Sequence, residues 1–178
     1  MADVRFHGNS LVADTSSLIY LAKSFIIRPF LRAFHVTIPP AVYRECVHPG
    51  YPCSDEIKGL RQEGRLSILP VREDLEFDVR LLKGGEREVI ILFYQLGPDA
   101  ILIDDGDGVK TCRSQGIPFV SALLIPCLLL TKKAIGPSEA AESLERIVGV
   151  GRYSQRVIAF ARRALLEACR EDCRRGDP

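Results

Sequence analysis

The feature that most constrains this chain is an apolar stretch that ends in a cluster of carboxylates, residues 100–107, Ala-Ile-Leu-Ile-Asp-Asp-Gly-Asp. The unbroken apolar run predicts a strand buried on both faces, because a strand exposed on one side alternates with polar residues. Asp104, Asp105 and Asp107 crowd its C-terminal end, where mutual repulsion favours either open water or a shared cation. Two interpretations follow: a solvated turn in which Asp107 caps a helix that begins at about Gly108, or an acidic site that binds a cation.

Apolar runs alternate with helical patterns along the whole chain. Strands are predicted at Ser10–Ala13, His35–Ile38, Leu66–Leu69, Ala100–Ile103 and Ile117–Val120. Helices are predicted from after Ser17 to about Arg32, with a break near Pro29, and from Glu86 to before Gly97. Further helices are predicted at 41–47, 54–64, 73–82, 109–116, 122–133, 137–148 and 154–174, and Ser138 is the predicted cap of the helix at 137–148. This alternation predicts an α/β fold, a mostly parallel sheet of about five strands with helices on both faces. We predict a single three-layer domain over residues 1–178, with a core of about 10–150 and a C-terminal helix of about 154–174.

Three acidic residues stand where strands end or helices begin. Asp14 directly follows the first strand, and Asp105 follows the fourth. A helix that returns between parallel strands starts at their C-terminal edge, so Glu86 belongs to that edge too, which is where such sheets bind ligands. The three carboxylates meet only if the first and fourth strands are neighbours, which the sequence alone leaves open. Asp14, Ser16 and Ser17 are also suited to cap the helix that follows them.

The composition of the chain indicates which kinds of binding partner and which cellular compartment to expect. With 178 residues, 47% of them hydrophobic, and a formal net charge of +1, the chain is typical of a globular domain, and any nucleic acid is expected at a local site. No signal peptide and no apolar run that could span a bilayer is recognised, which predicts a cytoplasmic protein without a membrane partner. The six cysteines are expected to be free thiols, with a Cys46–Cys53 disulfide as the alternative in a thermophilic source.

Four short acidic motifs follow one another along the chain. They are Leu11-Val-Ala-Asp14-Thr-Ser16, Val42-Tyr-Arg-Glu45, Gly85-Glu86-Arg-Glu88 and Leu102-Ile-Asp104-Asp105-Gly-Asp107. Their order and spacing resemble those of the PIN-domain ribonucleases, a family that includes the toxin nucleases of VapBC toxin-antitoxin pairs. Residues 129–136 are similar to a motif of one subgroup, and the resemblance extends from Leu11 to about Leu166. The chain departs from that subgroup at Ser121-Ala122, where a Gly-Thr pair is common.

The resemblance implies both a fold and a chemistry. It implies the strand order 3-2-1-4-5 and hydrolysis of RNA phosphodiester bonds with Mg²⁺ or Mn²⁺, ions that hard oxygen ligands suit. The implied catalytic residues are Asp14, Glu86, Asp105 and Asp107, of which Asp14, Asp105 and Glu86 are the implied metal ligands. The secondary candidates are Glu45, Ser16, Asp104 and Glu88.

Two pairs of nearby acids compete for one role each. The spacing to Gly97 favours Glu86 over Glu88. Asp105, two residues before Asp107, fits the family pattern better than Asp104, and strand alternation would point the side chain of Asp104 to the opposite face.

The resemblance also implies partners: an RNA substrate, a small antitoxin protein and a second copy of the chain in a homodimer. Two alternatives to a ribonuclease stay open, a metal- or RNA-binding PIN-like protein without turnover and a small-molecule phosphatase of the haloacid-dehalogenase type. That phosphatase needs a second Asp two residues after Asp14, where this chain has Ser16. RNA cleavage that depends on a divalent ion distinguishes these hypotheses.

Overall fold

The structure, a computed structural model, describes Phe6 and residues 8–51, 53–72 and 84–175. Its strands are β1 (Ser10–Ala13), β2 (His35–Ile38), β3 (Leu66–Ile68), β4 (Ala100–Leu102) and β5 (Phe119–Val120). They form one parallel sheet in the order β3-β2-β1-β4-β5. The predicted fold class and strand order are confirmed, and every strand lies within its predicted range.

The central strand β1 pairs with both β2 and β4, which answers the question that the sequence left open. Ala13 lies opposite Leu102, so the two strands end side by side. Asp99, just before β4, accepts hydrogen bonds from the backbone N–H groups of Asn9 (2.9 Å) and Ser10 (2.8 Å), which ties the beginnings of the two strands together. The residues that follow β1 and β4 therefore emerge next to each other.

Helices cover both faces of the sheet. In the described ranges they are α1 (Thr15–Lys23), α2 (Ile27–Ala33), α3 (Pro40–Cys46), α4 (Ser54–Gln62), α5 (Gly84–Leu96), α6 (Gly106–Ser114), α7 (Ile125–Thr131), α8 (Pro137–Val150) and α9 (Gln155–Arg175), with a 3-10 turn at Ala122–Leu124. The β1–β2 and β3–β4 connections cross the sheet in opposite directions, so right-handed crossovers place α1 and α5 on opposite faces. The helix predicted at 73–82 lies outside the described residues.

One predicted helix break and one predicted helix cap are wrong. The first helical segment breaks at Ser24–Ile26, where Phe25 has a φ of 62°, and not at Pro29. Pro29 lies in the first turn of α2, where its missing N–H removes no helical hydrogen bond. The helix α8 begins at Pro137, as predicted, but its N-cap is Gly136, and Ser138 lies inside the first turn.

The start of α6 also differs from the prediction. The helix begins at Gly106, and its N-cap is Asp105 instead of Asp107. The Asp105 carboxylate accepts the backbone N–H groups of Asp107 (2.8 Å) and Gly108 (3.3 Å). These are the N2 and N3 positions that an N-cap side chain satisfies, so the acid directly after the strand is the better cap.

An apolar core surrounds the sheet. All three residues of β4 are buried, as the unbroken apolar run predicts. The six cysteines are free thiols, and Cys46, Cys53, Cys112 and Cys127 belong to the core. Among the described residues, none of the helices has the length and apolar character that a membrane span requires.

Candidate active site

A cavity of about 360 Å³, here called the acidic cavity, opens where β1 and β4 end. Its lining residues are Asp14, Thr15, Ser16 and Ile19 at the start of α1, Glu45 of α3, Gly85 and Glu86 of α5, and Asp105 after β4. The structure therefore brings Asp14, Glu86 and Asp105 to one place, with Glu45 and Ser16 beside them. Asp104, Glu88 and Asp107 are not among its lining residues.

Asp14 is the most deeply buried of these carboxylates, with 3% of its surface exposed. It caps α1 by accepting the backbone N–H of Ser17 at 2.8 Å, and the hydroxyl of Ser16 donates to its other oxygen at 2.7 Å. Burial, followed by the negative charge of Asp104, raises the pKa of Asp14 from an ordinary 3.8 to about 6, against the opposing hydrogen bonds. The same carboxylate therefore caps a helix and faces the acidic cavity.

Glu86 and Asp105 interact directly across the acidic cavity. Burial raises the pKa of Glu86 to about 7, and the charge of Asp105 and a hydrogen bond with it act in the same direction. Burial alone would raise the pKa of Asp105, but the backbone N–H groups of Asp107 and Gly108 outweigh it and lower the pKa. Near neutral pH the shared proton therefore belongs to Glu86, while Asp105 remains ionised.

Glu45 joins the beginnings of α1 and α5. Its carboxylate accepts a hydrogen bond from the hydroxyl of Thr15 and another from the backbone N–H of Gly85 at 3.3 Å. A carboxylate is favourable there because the N-terminal turn of a helix carries partial positive charge. Gly85 permits this approach, since a Cβ atom at that position would lie 3.1 Å from both carboxylate oxygens and from Val42. Glu45 thus has a structural role in addition to lining the acidic cavity.

Glu88 and Asp107 lie next to the acidic cavity and have other partners. Glu88 accepts the backbone N–H of Ala41 at 3.2 Å, which attaches α5 to the first turn of α3. Asp107 is exposed and forms an ion pair with Lys110 at 2.8 Å. The preference for Glu86 over Glu88 therefore agrees with where the two side chains lie.

Asp104 is the centre of a hydrogen-bond network that sequence reasoning did not foresee. Its two oxygens accept the hydroxyls of Ser17 (2.7 Å), Ser121 and Tyr153 (2.9 Å) and the backbone N–H of Ala122 (2.9 Å). The donors come from α1, from the segment after β5 and from the segment before α9, so one side chain joins three parts of the chain. Asp105 lines the acidic cavity and Asp104 does not, and nothing local to either residue indicated the donors to Asp104.

The chain matches the model of a known protein family. This family is DUF3368, described as a PIN domain, and the match covers residues 10–167. This chain belongs to the PIN-domain family. Comparisons with curated proteins and with solved structures found no match. The PIN-domain assignment agrees with the strand order and identifies the fold as one of the nuclease type.

PIN-domain nucleases typically use divalent metals, which require oxygen donors such as carboxylates. Within the described residues, no three His, Cys, Asp or Glu side chains converge into a ready metal-binding group. Mg²⁺ is usually held by one or two carboxylates and keeps several waters, so a closed protein shell is not required. Carboxylate oxygens at the acidic cavity suit this ion, and burial, followed by the charge of neighbouring carboxylates, raises the pKa of Asp14 and Glu86, two effects that a bound cation would offset. The donor set therefore fits Mg²⁺ or Mn²⁺.

Proposed function

We propose that this PIN-domain protein is an endoribonuclease that hydrolyses RNA phosphodiester bonds with Mg²⁺ or Mn²⁺. The observation that carries the proposal is that Asp14, Glu86 and Asp105, far apart in sequence, line one cavity where β1 and β4 end. Membership of a nuclease-type family supports the same conclusion.

In this proposal Asp14 and Asp105 hold the metal, and Glu86 completes the set of ligands. A bound divalent ion supplies a water of lowered pKa and offsets negative charge on the leaving oxygen. Ser16 and the backbone of Ser17 orient the Asp14 carboxylate, and the first turn of α6 fixes that of Asp105. Glu45 keeps the beginnings of α1 and α5 together, which holds Glu86 opposite Asp105. These hydrogen bonds reduce the reorganisation that the carboxylates need when they bind.

The proposal is tested by incubating pure protein with a mixed RNA pool in Mn²⁺, in Mg²⁺ and with chelator. We expect RNA cleavage with either ion and none with chelator. Ion-dependent thermal stabilisation without cleavage would support a metal-binding PIN-domain protein without turnover instead, because a bound ion raises stability by mass action.

The residue at position 16 argues against a phosphatase of the haloacid-dehalogenase type. Ser16 stands where that enzyme class needs a second Asp, and its hydroxyl donates a hydrogen bond to Asp14. The protein is therefore expected not to hydrolyse small phosphomonoesters under conditions in which it cleaves RNA.

Glu86 and Glu88 form a matched pair for mutagenesis, because they lie two residues apart on α5 and only Glu86 lines the acidic cavity. Glu86→Gln is expected to lower kcat/KM for RNA about 100-fold, close to 3 kcal/mol of transition-state stabilisation. Glu88→Gln is expected to leave kcat/KM within about threefold and to destabilise the fold by about 1 kcal/mol, since an amide oxygen is a weaker acceptor for Ala41 N–H. Equal losses of kcat/KM in both variants would contradict the assignment of Glu86.

The proposed biological setting follows from the resemblance to toxin nucleases. In it the protein is the toxin of a toxin-antitoxin pair, acts on RNA in the cytoplasm, forms a homodimer and is inhibited by a small antitoxin protein. Growth arrest on expression, relieved by co-expression of a neighbouring small gene, tests the toxin role, and light scattering of the purified protein tests the dimer.

A further inference from the structure

A second cavity, of about 480 Å³ and here called the β5 cavity, shares no lining residue with the acidic cavity. It lies between α6, the edge strand β5 and α9. Phe119 and Phe160 contribute aromatic walls, Arg113 and Arg156 contribute cations, and apolar residues of the 3-10 turn complete the lining. Among the residues that the structure describes, none of those that line it is acidic.

Arginines and aromatic rings alternate on the surface around the β5 cavity. The Arg113 guanidinium lies 5.8 Å from the Phe119 ring centre, and that of Arg163 lies 5.8 Å from the Phe160 ring centre. On α9, Arg156, Phe160 and Arg163 follow helical spacing and share one face. In the part of the chain that the structure describes, no carboxylate forms an ion pair with any of these three arginines. Their positive charge is therefore available to an anionic ligand.

The β5 cavity lies close to the proposed cleavage site. Ser121 lines it, and the Ser121 hydroxyl donates to Asp104, the residue directly before Asp105. β4 and β5 are neighbouring strands, so the segments that leave their ends are separated by about 5 Å, the usual strand spacing. One flexible polymer can reach both cavities.

We propose that the β5 cavity binds a nucleotide of single-stranded RNA next to the bond that is cut, with the base on the phenylalanine rings and phosphates on Arg113 and Arg156. This inference rests on the proposed ribonuclease function. Aromatic rings bind any base through its face, and arginine pairs with phosphate oxygens in two-pronged geometry. A duplex keeps its bases stacked and paired, so its bases are not free to enter such a cavity. The β5 cavity thus selects unpaired RNA with little preference for sequence.

The test measures binding of a short fluorescent single-stranded RNA to variants made in an Asp14→Asn parent, so that the RNA stays intact. Arg156→Gln and Phe160→Leu are each expected to weaken binding about tenfold, within the range found for single stacking contacts. Arg156→Gln should also lower the slope of log affinity against log salt by about 0.7, the value for one phosphate contact on a single strand. The matched control is Arg174→Gln, the same change of charge on α9 about 27 Å from Arg156 along the helix axis. It should bind like the parent, and the same RNA in a duplex should bind the parent more weakly.

Failure of the nucleotide site and failure of the proposed ribonuclease function give different results. If the wild-type protein cleaves RNA but Arg156→Gln and Phe160→Leu bind like the parent, the nucleotide site is wrong and the proposed function stands. If the wild-type protein neither binds nor cleaves RNA, the proposed function fails and the nucleotide site with it. A peptide of glutamate and phenylalanine serves as a second probe. If Arg156→Gln and Phe160→Leu bind RNA like the parent but no longer bind this peptide, the β5 cavity binds an acidic protein segment instead.

Discussion

Replacing Asp14 by asparagine is expected to lower metal-dependent RNA cleavage about 1000-fold, which is about 4 kcal/mol of activation free energy. Asparagine has nearly the same volume and still accepts the backbone N–H of Ser17 as the cap of α1. It lacks the negative charge that the proposed metal requires. Asp105→Asn is expected to lower cleavage by the same order, because Asp105 is the second proposed ligand. Single-turnover cleavage of a labelled RNA measures both effects.

The same Asp14→Asn substitution is expected to stabilise the metal-free protein at high pH. The pKa of Asp14 is raised from 3.8 to about 6 in the folded state, so its ionisation lowers stability as pH rises through this interval. A shift of two pKa units corresponds to about 3 kcal/mol. Asparagine does not ionise and avoids this loss, but its amide is a weaker acceptor than a carboxylate, which leaves a net gain of about 1–2 kcal/mol. Urea unfolding in chelator should show the gain at pH 8 and none at pH 4.

The control for both measurements is Asp55→Asn on α4, whose side chain is 99% exposed, does not line the acidic cavity and forms a surface ion pair with Lys58. Cleavage should equal that of the wild-type protein, and stability should lie within about 0.5 kcal/mol of it. Unaltered cleavage in Asp14→Asn and Asp105→Asn together would reject the proposed metal ligands. Loss of cleavage accompanied by loss of stability at pH 8 would instead make Asp14 a structural residue.

The elements that position the acidic cavity could be predicted because each has a local signature. An unbroken apolar run marks β4, the Pro39-Pro40 pair marks the start of α3, and Gly84-Gly85 marks a boundary, although α5 begins at Gly84 and not at the predicted Glu86. Once β1 and β4 are neighbours, Asp14 and Asp105 must lie close together. That pairing came from the order of four family motifs, because strands of four and three residues carry too little local information to choose a partner.

What could not be predicted depends on contacts between distant segments. Tyr153 belongs to the segment between α8 and α9, and its hydroxyl reaches Asp104 only because Gly151 leaves room for its ring. The cap of α6 was misplaced by two residues because Asp105 and Asp107 both satisfy the sequence preference, and only the backbone direction after β4 distinguishes them. The β5 cavity joins α6, β5, the 3-10 turn and α9, and the sequence does not indicate that side chains of these four elements meet.

The largest expected loss of stability is for Asp104→Ala. The substitution removes the acceptor of three hydroxyls and of the Ala122 backbone N–H. Each buried donor left without a partner costs about 1–3 kcal/mol, and some of the four can turn to water, so we expect a loss of about 3–5 kcal/mol. Urea unfolding at pH 7 measures this loss. An unchanged slope of the free energy of unfolding against urea concentration would show that the variant and the wild-type protein unfold in the same transition.

Two milder variants test whether the loss of stability comes from the hydrogen bonds of Asp104 or from any substitution at this position. Tyr153→Phe removes one donor and leaves Asp104 with its other partners, so a loss of about 1 kcal/mol is expected. Asp104→Asn is expected to lie between Tyr153→Phe and Asp104→Ala, because the amide keeps one acceptor oxygen but turns an NH₂ group towards donors. Loss of a residue that positions a metal ligand typically lowers metal affinity 10- to 100-fold. If Asp104 positions Asp105 in this way, Asp104→Asn also weakens Mn²⁺ affinity. Tyr153→Phe is expected to change Mn²⁺ affinity less than about threefold. Equal stability of Asp104→Ala and the wild-type protein would contradict the network as a source of stability, whatever its effect on the metal.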